Sequence, residues 1–265
     1  MKALHSIHAF LFDMDGTIYL GPDPIEGSAG FIAYLQKNEI PFLFLTNNPT
    51  ADKSRYCTKL ASMDIHVPEE QILTAGAATA VYLMNETPYR RVFTLGVPSF
   101  EEELQAAGLI LDDENPDAVV LSFDKTLSYE KLERAALFLQ KDLPYIATNP
   151  DRVCPTEYGP IPDCGAMAAL LESATGRSPK YIGKPETAFA EMALKRLGTR
   201  KESTAMVGDR LYTDLEMARL AGMPGILVLS GESTAEDAAR AEHAPDFVFD
   251  SVRELHSAFE AARKG

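Results

Sequence analysis

Two carboxylates stand at the end of an apolar run near the start of the chain. Asp13 and Asp15 follow Ala9–Phe12 in the sequence AFLFDMDGT, and Gly16 then interrupts the run. Four consecutive apolar residues are typical of a strand buried on both faces, and ligands of open α/β sheets bind at the carboxyl ends of strands. The pair could supply a nucleophile and an acid–base group, or oxygen ligands for a metal. An acidic turn that only caps the strand is the alternative.

Two further polar segments have the residue types of a phosphate site. Thr46 and Asn47 follow the apolar run FLFL, and their hydroxyl, amide and backbone N–H groups could hold a phosphate or form an ordinary polar turn. Lys184 lies in the sequence GKP, where its ammonium could contact a phosphate oxygen or hold a carboxylate ionised. Taken alone, this lysine is uninformative, because most lysines are solvated.

A second acidic segment, GDRLYTD, follows another predicted strand. It places Asp209 at the strand end and Asp214 at the start of a predicted helix, where Asp214 could be only an N-cap. If these residues lie beside Asp13 and Asp15, repulsion between the carboxylates raises their pKa values unless a cation joins them. Mg²⁺ suits such oxygen ligands. A calcium loop is not indicated, because TIYL follows the first pair where further oxygen ligands are needed.

Predicted strands and helices alternate along the chain. This order favours a parallel sheet with right-handed crossovers. A second alternating block of about a hundred residues lies between the TNN and GKP segments and is large enough to be a domain. We therefore predict an α/β fold with a core formed by residues 1–80 and 183–265 and an inserted domain formed by residues 81–182.

Composition narrows the class of protein. The 265 residues include 39 acidic and 25 basic side chains, a net charge of −14, which argues against nucleic-acid or acidic-membrane partners. No apolar run is long enough to span a bilayer, and MKALHSIHAF lacks the apolar segment of a secretory signal. Three widely spaced cysteines indicate neither a zinc site nor a disulfide framework. We expect a cytoplasmic monomer or homodimer.

The four polar segments resemble, in order, the motifs of the haloacid-dehalogenase superfamily. DMDGT, TNN, GKP and GDRLYTD each end a predicted strand, and the resemblance covers the whole chain. The insertion resembles the large cap of the NagD-like branch, to which IYLGPDPIEGS, LTNNPT and ATNP are also similar. The resemblance implies a Rossmann-like core with a large α/β cap. It also implies Mg²⁺-dependent hydrolysis of small phosphate monoesters, namely sugar phosphates, nucleoside monophosphates or phosphoglycolate.

The resemblance also implies roles for the acidic residues. Asp13 attacks phosphorus and forms an aspartyl-phosphate, while Asp15 protonates the leaving alcohol and later takes a proton from water. Mg²⁺ is held by the side chains of Asp13 and Asp209 and by the carbonyl of Asp15. Asp214 lies behind these ligands and orients them.

The remaining implied roles concern phosphate and leaving group. Thr46, Asn47 and Lys184 hold the phosphate oxygens. In the cap, the loop from Asn149 to Gly165 contacts the leaving group, although an ordinary surface loop is the alternative. Our candidates for that contact are Asn149, Asp151 and Asp163. The loop reads GPIPDCGAM, so Asp163 stands where the family more often has a glycine, which bears on substrate preference.

Other uses of the same residues stay open. A phosphotransferase or phosphomutase would use the same two aspartates, and a non-catalytic phospho-accepting module also needs an Asp, a Thr and a Lys. Such modules are about half this length and have no inserted domain. A dehalogenase needs neither Asp15 nor magnesium.

Overall fold

The computed structural model describes residues 3–48, 52–154 and 158–264. The chain separates into two compact units. The first unit contains Met1–Leu45, Tyr56–Leu73 and Lys184–Gly265. The second unit contains Thr46–Arg55 and Thr74–Gly183. The domain boundaries expected from the sequence, 1–80, 81–182 and 183–265, stay a prediction.

The strands, in chain order, are β1 (Ala9–Asp13), β2 (Tyr19–Leu20), β3 (Asp23–Pro24), β4 (Phe42–Thr46), β5 (Ile72–Thr74), β6 (Arg91–Leu95), β7 (Ile110–Leu111), β8 (Ala118–Leu121), β9 (Tyr145–Ala147), β10 (Val153–Cys154), β11 (Ile161–Pro162), β12 (Lys180–Tyr181), β13 (Thr204–Gly208), β14 (Gly225–Val228) and β15 (Phe247–Phe249). The α-helices are α1 (Ser28–Lys37), α2 (Lys53–Ala61), α3 (Ala75–Glu86), α4 (Pro98–Ala106), α5 (Tyr129–Leu139), α6 (Cys164–Thr175), α7 (Thr187–Leu197), α8 (Glu216–Ala221), α9 (Ala235–Arg240) and α10 (Val252–Lys264).

The sheet of the first unit has the strand order β15-β14-β13-β1-β4-β5. β1 is parallel to both of its neighbours, with Phe12 opposite Val207 on β13 and Asp13 opposite Leu45 on β4. The chain continues from β1 to β4 on one side, whereas β13 lies on the other, so the strand order reverses at β1. Ligands of open α/β sheets bind at such a point, beyond the carboxyl ends of the two strands.

Aromatic packing holds β1 in place. Phe10 on β1 makes edge-to-face contacts with Phe31 on α1 and Phe259 on α10, at centroid distances of 5.5 and 5.0 Å. All three rings are fully buried. Burial of each ring stabilises the fold by about 1.5–3 kcal/mol, and the edge-to-face contacts add to it. The strand that ends at Asp13 is therefore fixed by the core of its unit.

The second unit has its own parallel sheet, with the order β12-β9-β8-β6-β7. Its core lies between this sheet and α5 and α6, and it includes Phe93, Leu121, Phe123, Leu139 and Leu171. α5 starts at the N-cap Ser128 and α6 at the N-cap Asp163, and each cap side chain accepts a backbone N–H of its helix. The predicted α/β fold, a parallel-sheet core with an inserted α/β unit, is confirmed.

Three local features differ from the sequence predictions. Asp214 does not begin a helix as an N-cap. Instead it lies inside a π-helical turn, Leu211–Leu215, that runs into α8. The loop between Asn149 and Gly165 contains an antiparallel pair, β10 and β11, although its residues 155–157 lie outside the described part. The helix α9 was not predicted, despite a capping box formed by Thr234 and Asp237.

Within the described ranges, no helix is both long and apolar enough to cross a membrane.

Candidate active site

Three buried carboxylates meet at the point where the strand order reverses. Asp13 is the last residue of β1, Asp209 follows the last residue of β13, and Asp214 lies on the π-helical turn after it. Each offers a carboxylate oxygen, and these oxygens lie within 4.8 Å of one another. The parallel pairing of β1 and β13 explains why Asp13 and Asp209 share one edge.

Lys184 supplies a positive charge to this group. Its side chain is only 3% exposed, and its ammonium donates hydrogen bonds to Oδ1 of Asp13 and, at 2.7 Å, to Oδ1 of Asp214. Charge-assisted bonds of this kind are stronger than neutral ones. Three carboxylates and one ammonium nevertheless leave an excess of negative charge when all are ionised.

The pKa directions reflect that excess. Burial raises the pKa of Asp13 well above its ordinary value; Lys184 opposes the rise, and the charges of Asp214 and Asp209 add to it. Burial, with the charge of Asp214, raises the pKa of Asp209 to about 6. Burial works against the ammonium of Lys184, but Asp13 and Asp214 outweigh it and raise its pKa. A further cation at this cluster would relieve the repulsion.

Hydrogen bonds distinguish the two carboxylates of the GDRLYTD segment. Asp214 accepts at both oxygens, from Lys184 at Oδ1 and from the N–H of Arg210 at Oδ2, 3.1 Å away. Asp209 accepts the N–H of Glu232 at Oδ2, 2.7 Å away, whereas its buried Oδ1 has no hydrogen-bond partner among the described residues. A buried acceptor without a partner is costly, and an oxygen-seeking cation such as Mg²⁺ fits this donor set.

Asp15 lies outside β1, in the turn that leads to β2. The N–H of Gly16 donates to the carbonyl of Tyr19 at 2.7 Å, which fixes the peptide that follows Asp15. Unlike Asp13, Asp15 is exposed. Loss of water around part of its carboxylate raises its pKa, against the opposing charges of Lys59 and Arg210. A carboxyl that holds its proton to higher pH, and that solvent can reach, is suited to proton transfer.

The TNN segment belongs to the second unit. Thr46 ends β4 and accepts the N–H of Asn48 at its hydroxyl, 3.1 Å away. The side chain of Asn47 is buried and donates to Oδ2 of Asp151 at 2.9 Å. The phosphate-binding role of Thr46 and Asn47 stays a prediction.

The three specificity candidates of the second unit form one buried network. Asn149 donates to Oδ2 of Asp151 at 3.0 Å and to Oδ1 of Asp163 at 3.4 Å. Asp163 also accepts the N–H of Cys164 and so caps α6. These side chains therefore have a structural task in their own unit, and their contact with a leaving group stays a prediction.

One segment that contacts the cluster is not among the residues predicted from the sequence. Ser230, Gly231 and Glu232 follow β14, and besides the Glu232 bond to Asp209, the hydroxyl of Ser230 donates to the carbonyl of Gly16 at 2.7 Å. The signal was present in the sequence, since SGES follows the apolar run GILVL as the other polar segments follow theirs. It lacks an aspartate or lysine to single it out.

Family models and a curated relative match most of the chain. A family model described as haloacid dehalogenase-like hydrolase matches residues 10–110, and a HAD-hydrolase-like model matches residues 181–255. The chain is 38% identical over 253 residues to an acid sugar phosphatase of Staphylococcus aureus, a match that covers 95% of this chain and 98% of the relative.

Solved structures are also similar to this chain. A 4-nitrophenylphosphatase from Thermotoga maritima is 44% identical, with a TM-score of 0.93 over 97% of this chain and 98% of that one. NagD from E. coli K-12 is 30% identical, with a TM-score of 0.89 over 96% of this chain and 98% of that one. The chain therefore belongs to the haloacid dehalogenase-like hydrolases, as a phosphatase of their NagD-like branch.

Proposed function

We propose that this phosphatase hydrolyses phosphate monoesters of small metabolites through a phosphorylated Asp13, with Mg²⁺ as its cofactor. The observation that carries the proposal is the buried cluster in which Lys184 bridges Asp13 and Asp214 beside Asp209. Lys184 holds Asp13 by one oxygen, and a carboxylate fixed in this way is a suitable nucleophile toward phosphorus.

The proposed mechanism has two half-reactions, which use Asp13 and Asp15. In the first, a carboxylate oxygen of Asp13 attacks phosphorus, the bond to the ester oxygen breaks, and Asp15 gives its proton to the leaving alcohol. In the second, Asp15 takes a proton from water, which attacks the phosphorus and releases inorganic phosphate from Asp13. The exposed position and raised pKa of Asp15 support this double role.

The residues around the cluster fit Mg²⁺. The side chains of Asp13 and Asp209 and the carbonyl of Asp15 would hold it, and Asp214, which already accepts at both oxygens, would hold Lys184. When bound, the ion supplies positive charge to the phosphoryl oxygens. The ammonium of Lys184 would supply a further positive charge to the phosphate. We assign Thr46 and Asn47 to contacts with the same phosphate oxygens.

The substrate class is proposed from the relatives. One is named an acid sugar phosphatase and another a 4-nitrophenylphosphatase. We therefore place sugar phosphates first, with nucleoside monophosphates and phosphoglycolate as further members of the panel to be assayed.

Replacement of Asp13 by asparagine tests the mechanism. Asp13→Asn keeps the shape of the side chain, so we expect a folded protein whose hydrolysis falls by at least about a thousandfold on every substrate. The matched control is Asp250→Asn, the same change at an exposed residue of the first unit. Phosphate release is measured with Mg²⁺, and acid-quenched protein is examined by mass spectrometry for a phosphoryl group on Asp13.

The same assays separate the alternatives. A phosphomutase would yield an isomeric sugar phosphate in place of inorganic phosphate, and a phospho-accepting module would keep the phosphoryl group without turnover. If Asp13→Asn retained more than a small percentage of wild-type turnover, the assignment of the nucleophile would be wrong.

A further inference from the structure

A short segment after β14 contacts the acidic cluster through its backbone and through one hydroxyl. We call residues 230–233 the 230–233 loop. The N–H of Glu232 donates to Oδ2 of Asp209 at 2.7 Å, and the N–H of Ser233 donates to the carbonyl of Asp209 at 3.1 Å. The loop therefore holds both the side chain and the main chain of Asp209.

Gly231 lets the loop approach that carboxylate. A Cβ on Gly231 would lie 2.0 Å from Oδ2 of Asp209, and a Cβ on Gly16 would lie 2.3 Å from the same oxygen. Gly16 also has a left-handed φ of +84°, whereas Gly231 has a φ that other residues can adopt. At Gly231, glycine is thus required by the space beside Asp209 and not by backbone conformation.

These contacts decide which oxygen of Asp209 points away from the loop. Oδ2 is packed against two glycines and accepts the N–H of Glu232. Oδ1 is buried and accepts no hydrogen bond within the described ranges. Oδ2 is thereby committed to the loop, and Asp209 offers a carboxylate oxygen within 4.8 Å of one from Asp13.

The loop also reaches the peptide after Asp15. The hydroxyl of Ser230 donates to the carbonyl of Gly16 at 2.7 Å, and the N–H of Gly16 donates to the carbonyl of Tyr19. The Asp15–Gly16 peptide and the one after it are thus fixed from two sides. The carbonyl of Asp15 belongs to the Asp15–Gly16 peptide, so these hydrogen bonds also fix its direction.

We infer that the 230–233 loop is a positioning element of a divalent-cation site, in which Gly231 and the Glu232 N–H orient Asp209 and Ser230 orients the Asp15–Gly16 segment. The inference rests on the cation of the proposed function. No residue of the loop needs to contact the ion, because each acts through Asp209 or Gly16. Partners that orient metal ligands typically change metal affinity by about 10- to 100-fold when they are altered.

Mn²⁺ binding tests the inference without any assay of activity. Mn²⁺ prefers oxygen ligands as Mg²⁺ does, and the EPR signal of the free ion gives its Kd on metal-free protein, with Mg²⁺ as competitor. We expect Gly231→Ala to weaken Mn²⁺ binding at least about tenfold, because the added methyl displaces the carboxylate of Asp209. The control is Gly30→Ala, where a Cβ meets nothing within 4 Å.

A second pair of variants guards against a Gly231→Ala protein that does not fold. Ser230→Ala removes the hydrogen bond to Gly16, and its control, Ser257→Ala, removes a hydroxyl that donates to a backbone carbonyl on α10. We expect weaker Mn²⁺ binding for Ser230→Ala than for Ser257→Ala, whereas the Tm of the metal-free proteins reports on the fold alone.

The outcomes separate this inference from the proposed function. If wild-type protein binds Mn²⁺ and either folded loop variant binds it with wild-type affinity, the positioning role is wrong and the cation site stands. If wild-type protein binds neither Mn²⁺ nor Mg²⁺, the cation of the proposed function and this inference fall together. Weaker binding in the loop variants with unchanged binding in both controls supports the inference.

Discussion

Lys184 brings a positive charge into a buried group of negative ones. It bonds to both Asp13 and Asp214, so it ties the end of β1 to the π-helical turn after β13. Removal of one partner from a buried ionic group leaves the other charges uncompensated, which typically costs about 3–5 kcal/mol. The same ammonium is our candidate for charge neutralisation on the phosphate.

Replacement of Lys184 by methionine should therefore affect stability and activity together. We expect Lys184→Met to lower the free energy of unfolding by about 3–5 kcal/mol in EDTA. We also expect kcat/KM to fall by about a hundredfold or more, because a fixed charge that stabilises the transition state is lost. Urea denaturation and steady-state kinetics measure the two effects.

The control for Lys184 is Lys264→Met. Lys264 pairs with Glu260 on the exposed face of α10, and such pairs contribute little to stability. We expect this variant to match the wild-type protein in both assays. A Lys184→Met protein of unchanged stability would show that the three carboxylates do not depend on this ammonium.

At the scale of elements, the sequence predicts a site residue correctly where a chemically active residue type follows an apolar strand pattern. Asp13 and Asp209 each follow an apolar run, and parallel pairing of β1 and β13 brings such strand ends to one edge. The 230–233 loop could not be recognised in this way. It acts through a backbone N–H and the missing side chain of Gly231, which are not visible as functional residue types. It also acts through the hydroxyl of Ser230, but a serine after an apolar run does not by itself indicate a site.

Two other elements show the same limit. The position of Asp214 depends on a π-helical turn, which an apolar pattern of period 3.6 does not reveal. Asp163 departs from the family pattern, and in the structure it is also the N-cap of α6. The capping role depends on where the helix begins, and helix ends are set by local hydrogen bonds more than by residue periodicity.

Asp163 and Asp151 are the two residues that we expect to affect substrate preference. Asp163→Gly removes a cap, which typically costs only a few tenths of a kcal/mol when glycine is the replacement. Asp151→Ala removes an acceptor of the amides of Asn47 and Asn149, with a cost of about 1–3 kcal/mol. We expect both variants to change the ranking of sugar phosphates, nucleoside monophosphates and phosphoglycolate far more than they change hydrolysis of 4-nitrophenyl phosphate. Remote binding energy orients physiological substrates, whereas 4-nitrophenol is a good leaving group and needs little of it.

The measurement for these variants is kcat/KM across the whole panel. Ser128→Gly is the matched control, because it removes the N-cap of α5 in the same unit. An equal loss on every substrate would mean that Asp151 and Asp163 support the fold or the chemistry, and the specificity role would be withdrawn.

The whole molecule carries a net charge of −14, so its overall field repels the anionic substrate that we propose. Phosphate must be attracted by groups close to the site, and screening by salt weakens the long-range repulsion. The described carboxylates around Lys184 add to the negative charge at that point. A divalent cation in the cluster would offset the excess negative charge that three ionised carboxylates and one ammonium leave, and would so remove the local repulsion of a phosphate.

We therefore predict that divalent cations control both activity and stability. EDTA should abolish hydrolysis, and Mg²⁺ should restore it. At a concentration one hundred times its Kd, Mg²⁺ should also stabilise the native state by about 2.7 kcal/mol, because it binds the folded chain only. Excess Ca²⁺ should inhibit, because it takes more ligands than Mg²⁺ and can engage both oxygens of Asp13.

Calorimetric Tm and phosphate release, measured over a range of Mg²⁺ concentrations, test this prediction. NaCl at equal ionic strength is the control, since it screens charge without occupying a site. Asp209→Asn should lose most of the Mg²⁺-dependent rise in Tm, because Asp209 is a proposed ligand with a buried oxygen that has no other partner among the residues described. Full hydrolysis in EDTA, or a rise in Tm that NaCl reproduces, would contradict the role of the cation.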